Sequence, residues 1–229
     1  MTELLGVTIH DPDVALTDLG LAILGAYLSW RLWSAPGRPT LLRSGAILMG
    51  GLASAALWGA VFHAFFPAGT ATLPGFLAWV PVALSIVVAA SVMLDLSLRL
   101  LLPRIQSGVR RSIVATYAVA FAGVVLLLNE SFSSIVYFYT PALALLLMAA
   151  GQQAIRSRDT GWTLITIGLV MSASAAVLQL ARVAVHPVYF DHNAVYHVVQ
   201  GIALVFLYCG WRRASLPPHA TGESPAPPG

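Results

Sequence analysis

The chain has 229 residues, 58% of them hydrophobic and 9% charged, with 12 basic residues (every one an arginine) against 9 acidic and a formal net charge of +3. A soluble domain carries about 25% charged residues, and a disordered chain is poor in apolar ones, so both classes are excluded. The single cysteine, Cys209, excludes a disulfide scaffold, and the lack of lysine excludes a retinal protein, whose Schiff base needs a lysine amine.

A membrane-spanning helix takes about 20 apolar residues, so this length allows about seven with short loops. Apolar periodicity and chain breakers predict helices over residues 14–33, 44–66, 73–102, 111–128, 132–155, 161–185 and 191–211. Pro81 and Pro141 fall inside the third and fifth, where kinks are expected. Asp191 is placed to cap the seventh. Residues 1–213 therefore read as an all-α membrane protein, a seven-transmembrane-helix bundle. Residues 214–229, rich in Pro, Gly, Ser and Ala, read as a disordered cytoplasmic tail. The first residues carry Glu3, Asp11 and Asp13 and no basic stretch, which is not the pattern of a secretory signal peptide.

The arginines then set direction. Arg31, Arg38 and Arg43 flank the first loop, Arg99, Arg104, Arg110 and Arg111 the third, and Arg156 and Arg158 the fifth. Arg212 and Arg213 follow the last helix, and only Arg182 falls on the other side. Lys and Arg collect on cytoplasmic loops, so the N-terminus is expected outside and the C-terminus in the cytoplasm. Clusters of this kind argue for a membrane and against nucleic acid as the partner. The lysine-free, alanine-rich composition suggests a bacterial inner (plasma) membrane.

Ionisable groups within spans cost about 2.5–3.5 kcal/mol each on insertion scales, so each is a functional candidate. They collect at the outer end. Asp18 lies in helix one, His63 late in helix two, and Asn129 and Glu130 between helices four and five. Gln179, Arg182 and His186 form a stripe on helix six. Asp191, His192, Asn193, His197 and Gln200 begin helix seven. Of the six histidines only His219, in the tail, lies elsewhere. The inner half holds little besides Asp95, which reads as an ion pair with Arg99 one turn later.

Imidazoles and carboxylates from separate helices are ligands that zinc favours, and an open catalytic zinc acidifies a water. His63, His192 and His197 are the candidate metal ligands, with Asp18 and Glu130 as candidate catalytic acids or bases. Arg182, Asn193 and Gln200 are candidates for binding substrate. Each has an ordinary alternative. His63 can be an interfacial residue, His192 a solvated cap, and Asp18, with Thr17 beside it, an anchor for helix one. His192 and His197 diverge by about 140° on a regular helix, so both reach one ion only if His192 occupies a frayed end. Trp30, Trp33, Trp79, Trp211, Tyr137 and Tyr139 are expected to form an interfacial aromatic belt. Gly50, Gly51, Ser54 and Ala55 are expected at a close helix contact.

With His63 in Ala-Val-Phe-His-Ala-Phe-Phe and His192 and His197 in Asp-His-Asn-Ala-Val-Tyr-His-Val-Val-Gln, the chain resembles the superfamily of alkaline ceramidases, adiponectin receptors and haemolysin III-like proteins. The resemblance implies seven helices, a bound zinc and hydrolysis of a lipid amide. The chain departs from that pattern at three places. The helix-seven histidines are five residues apart instead of four, Gly59 stands where the family has serine, and no acid opens helix three. Asp18 is the candidate replacement for that acid. The chain is also similar to bacterial seven-helix proteins that carry Thr-Asp in helix one and His-Asn-x-x-Tyr-His in helix seven.

Three functions follow as expectations. The first is a zinc-dependent membrane hydrolase acting on a lipid amide or ester near the outer face. The second is a haem protein with His63 and His197 as axial ligands. The third is a non-enzymatic sensor, transport or assembly protein. The sequence leaves substrate and oligomeric state open.

Overall fold

The structure is a computed structural model that describes residues 2–4, 7–36, 39–186 and 190–214. Its helices are α1 (Pro12–Trp33), α2 (Pro39–Phe65), α3 (Leu73–Leu101), α4 (Ser107–Gly123), α5 (Phe132–Ser157), α6 (Thr160–Leu180) and α7 (His192–Arg213). All seven are long and apolar enough to cross a membrane, as in an integral membrane protein. Two short strands precede them, β1 (Thr2–Leu4) and β2 (Val7–Ile9), paired antiparallel with Thr2 opposite Ile9. The hairpin was not foreseen. It is tied to the end of α2 by the His10 N–H, which donates to the Ala64 carbonyl at 3.1 Å. Of the expected tail, Ala214 is buried in the core at 0% exposure, and residues 215–229, like Pro187 and Arg38, lie outside the described residues.

Side-chain caps start four of the helices where sequence periodicity begins. Thr72 caps α3, Ser131 caps α5, Asp159 caps α6 and Asp191 caps α7. Asp191 Oδ1 accepts from the N–H groups of Asn193 and Ala194, at 2.8 and 3.0 Å, as its position predicted. The expected end of helix six was wrong. α6 stops at Leu180, five residues early, because Arg182 turns into the left-handed region at φ 53°. The Arg182 N–H then donates to Gln179 O and the Val183 N–H to Leu178 O, each at 3.0 Å. This is the two-bond C-terminal lock that usually carries glycine. The stripe of Gln179, Arg182 and His186 therefore does not exist as a helix face. Only Gln179 is helical.

The packing order is a ring of six helices, α1–α2–α3–α5–α6–α7, closed by α7 against α1. α4 stands outside the ring against α3 and ends in one π-helical turn, Val124–Leu128. Phe121 stacks on Phe138 at 5.1 Å, and the Tyr117 hydroxyl donates to Phe138 O, which fastens α4 to α5. At the other end Asp95 accepts from Arg99 Nε at 2.7 Å, as expected, and also from Arg110 Nε of α4 at 2.9 Å. The expected glycine contact of α2 is present. A β-carbon on Gly51 would stand 2.9 Å from the Ser85 carbonyl of α3, so only glycine allows that approach.

The residues expected in an aromatic belt divide by burial. Trp30, Trp33 and Tyr137 are exposed, but Trp211 and Trp79 are core residues, at 1% and 6% exposure. Trp211 lies where a side chain on Gly45 would be. Tyr139 is partly buried and lines an internal cavity.

Candidate polar site inside the bundle

The polar residues of the amino-terminal end meet where α1, α2, α3 and α7 converge. A cavity of about 100 Å³ lies there, lined by Asp18, Gly59, His63, Trp79, His197 and Gln200 among others. Its position follows from helix phase. Asp18, Leu21, Ala22 and Gly25 recur at three- and four-residue spacing and form the buried stripe of α1. Ala194, His197, Gln200 and Leu204 do the same on α7.

Asp18 is 4% exposed and His197 8%. Asp18 Oδ1 lies 3.1 Å from His197 Nε2, and Thr17 Oγ1 lies 3.0 Å from His197 Nδ1. Thr17 and Asp18 are consecutive, so their side chains point about 100° apart. That divergence lets one turn of α1 grip both sides of a single imidazole. The Thr17 hydroxyl is also 2.9 and 3.0 Å from the carbonyls of Asp13 and Val14. Two proton arrangements satisfy the trio. Thr17 can donate to Nδ1 while Nε2–H donates to Asp18. Alternatively it donates back to α1 and accepts Nδ1–H, leaving Nε2 facing Asp18. In the second arrangement Nε2 and Oδ1 face each other as two acceptors, and only a proton on the carboxyl group or a bound cation satisfies both.

Gly59 makes the contact possible from the α2 side. A β-carbon there would stand 2.9 Å from Asp18 Oδ2. The absence of a side chain, not a lost serine, is what this position contributes. His63 is one turn further along α2 and opens onto the same cavity, with its ring edge-on to Phe62 at 5.7 Å.

Of the other candidates only Gln200 is brought to this cavity. His192 is the first residue of α7, on its rim, with Nδ1 3.6 Å from Asp191. The five-residue offset from His197 turns it away, and no fraying compensates. Glu130 lies in the α4–α5 connection and lines neither internal cavity, because α4 is outside the ring. Arg182 is exposed beyond the end of α6. Asn193 is drawn sideways: its Oδ1 accepts from Gln179 Nε2 at 3.1 Å, and its Nδ2 donates to Asp191 at 3.1 Å. Gln200 does line the cavity and donates to Ser172 Oγ of α6 at 3.2 Å. Among the described residues no three His, Cys, Asp or Glu are gathered closely enough to hold an ion.

Sequence reasoning gave Thr17 and Tyr196 no role at the site, and Trp79 the wrong one. Tyr196 lines the cavity beside His197, ring to ring at 5.2 Å. The signal was present in the Thr-Asp pair of helix one and the Tyr-His pair of helix seven, which are the two segments in contact.

The sequence pattern of a family of unknown function, DUF6962, matches residues 14–216 and so covers the whole bundle. No curated protein and no solved structure matches the chain.

Proposed function

The chain belongs to this family of unknown function, and from the site we propose that it is an integral membrane hydrolase that uses one zinc ion to cleave a lipid amide or ester. Asp18 and His197 would hold the ion, and His63, which lines the same cavity but is not gathered with them in this structure, would have to move in to be the third ligand. This is the chemistry that the resemblance to the alkaline ceramidase and adiponectin receptor superfamily implies, moved to a different acid.

The observation that carries the reading is the Asp18–His197 contact. Bonds of about 2.0–2.2 Å from zinc at a tetrahedral angle put neighbouring ligand atoms about 3.3 Å apart. The observed 3.1 Å suits two ligands of one ion. Thr17 adds to this. An imidazole ligand usually donates its far N–H to an outer acceptor, which sets its tautomer, and Thr17 Oγ1 stands at that position. When bound, zinc would polarise a scissile carbonyl and acidify water. The chain's own residues orient and exclude. Thr17 fixes the His197 ring, Gly59 leaves room for the carboxylate, and Phe62 and Trp79 close the cavity wall. A haem is disfavoured by volume, since about 100 Å³ is well below the ~300 Å³ at which sites for larger ligands begin.

A second reading is favoured by one observation, the lack of a tight three-ligand group among the described residues. In it the Asp18–His197 pair shares a proton in a non-enzymatic sensor, transport or assembly protein. Metal analysis of the purified protein by mass spectrometry, with a visible spectrum on the same sample, separates the readings. About one zinc per chain, lost in His63→Ala and His197→Ala, supports the hydrolase. No metal after zinc is added back overturns it in favour of the proton-sharing pair. A Soret band with iron would restore the haem.

We also propose that the site faces outward. The described arginines other than Arg182 flank the opposite end of the bundle, which supports a cytoplasmic placement of that end. A Thr8→Cys, Cys209→Ser variant should react with a membrane-impermeant maleimide in intact cells. Protection until the cells are lysed would reverse the orientation.

A further inference from the structure

A second cavity of about 60 Å³ lies beside the first, lined mainly by α5, α6 and α7 with Leu52 of α2 and Ile86 of α3. Leu52, Ile86, Tyr196 and Gln200 line both, so the two are separated by shared side chains. The polar groups around the second cavity are Tyr139, Thr140, Ser172, Gln179, Tyr196 and Gln200. No charged residue lines it, so its polar lining is that of a site for a neutral molecule.

The hydrogen bonding there is incomplete in a directional way. Asp191 accepts from Asn193 Nδ2, and Asn193 Oδ1 accepts from Gln179 Nε2. This chain fixes the orientation of the Gln179 amide, whose oxygen is buried without a partner at the wall of the second cavity. Reversing the amide would set two oxygens against each other at Asn193. Ser172 Oγ accepts from Gln200 Nε2 and still has its own proton to give. The hydroxyls of Tyr139 and Tyr196 make no hydrogen bond to the described residues. A buried acceptor without a donor costs about 1–3 kcal/mol. The surroundings therefore offer both donors and acceptors to a small neutral ligand. The cavity exceeds the ~10–15 Å³ that one water needs.

We propose that this second cavity is a structural water site that supplies the Asp18–His197 cavity across the Tyr196–Gln200 partition. Hydration rests on the second cavity alone. Its use as the source of hydrolytic water rests on the hydrolase reading.

Radiolytic hydroxyl labelling of the full-length protein in detergent tests the hydration, because bound water raises the labelling of the side chains that touch it. Tyr139 and Tyr196 are expected to label several-fold faster than Phe121 and Trp162, buried aromatics that line neither internal cavity. Ala176→Leu, which fills the second cavity, should cut the labelling of both tyrosines several-fold at unchanged zinc content. Gln179→Met, which removes the unpartnered acceptor from the cavity wall, should do the same and serves if the first variant does not fold. Wild-type tyrosines labelled no faster than Phe121 and Trp162, or labelling indifferent to both variants, overturns the proposal. The measurement reads neither metal nor activity. Labelled tyrosines in a zinc-free protein would retain the water site while the hydrolase reading fell.

Discussion

Asp18→Asn is expected to empty the site of zinc while leaving the helices folded. The substitution keeps the shape of the side chain and the space beside Gly59, but replaces a carboxylate with a poor ligand facing His197 Nε2. Loss of an outer-shell partner costs about 10–100-fold in metal affinity, and loss of a ligand costs more. Thr17→Val provides that milder case, since it removes only the hydroxyl on His197 Nδ1. The expected order of zinc content is therefore wild type, then Thr17→Val, then Asp18→Asn. The melting point should fall by the stabilisation that bound zinc supplies, while the helices persist because an amide still meets the imidazole. Metal analysis and thermal denaturation on the same three samples check this. Wild-type zinc content in Asp18→Asn would exclude Asp18 as a ligand, and collapse of the fold would mark the pair as structural.

Gly59→Ala is the second large effect, and it acts through space alone. The new β-carbon would lie 2.9 Å from Asp18 Oδ2, and the carboxylate is held on its other side by His197. Overpacking of this kind costs about 1–3 kcal/mol, and each kcal/mol shifts the midpoint of a chain this size by roughly 2–4 °C. The same displacement should lower zinc content. Asp18→Ala in the Gly59→Ala background removes the crowded group, so the two changes should couple by more than the ~0.5 kcal/mol within which distant sites add. A double-mutant cycle on thermal stability reads that coupling. Strict additivity would mean that α1 and α2 move apart freely, and that Gly59 is a general packing position with no special relation to Asp18.

The resemblance placed an acid at the start of helix three and two histidines on helix seven. The structure uses neither arrangement. Trp79 is the residue of early α3 that lines the cavity, and the carboxylate comes from α1. His192 was a candidate by residue type, and its five-residue separation from His197 already carried the objection that the structure upholds. Arg182 and His186 were assigned to helix six because apolar residues continue to Val185. Nothing in that pattern announces a left-handed arginine, since such turns are usually marked by glycine.

What the sequence determined by itself is the number of helices, their approximate bounds and the end of the bundle at which the polar groups collect. These depend on local properties: apolar length, breakers and the spacing of residues along one helix. Asp18, His63, His197 and Gln200 could be singled out because buried polar groups are costly wherever an apolar helix places them. Which of them meet was decided only by tertiary structure. The ring order with α4 outside it separates Glu130 from the site, and the contact of α1 with α7 brings Thr17 and Asp18 to one imidazole across about 180 residues of chain. Such pairings follow from how side chains of different helices interlock, and helix–helix contacts of that kind leave no periodic trace in a single sequence.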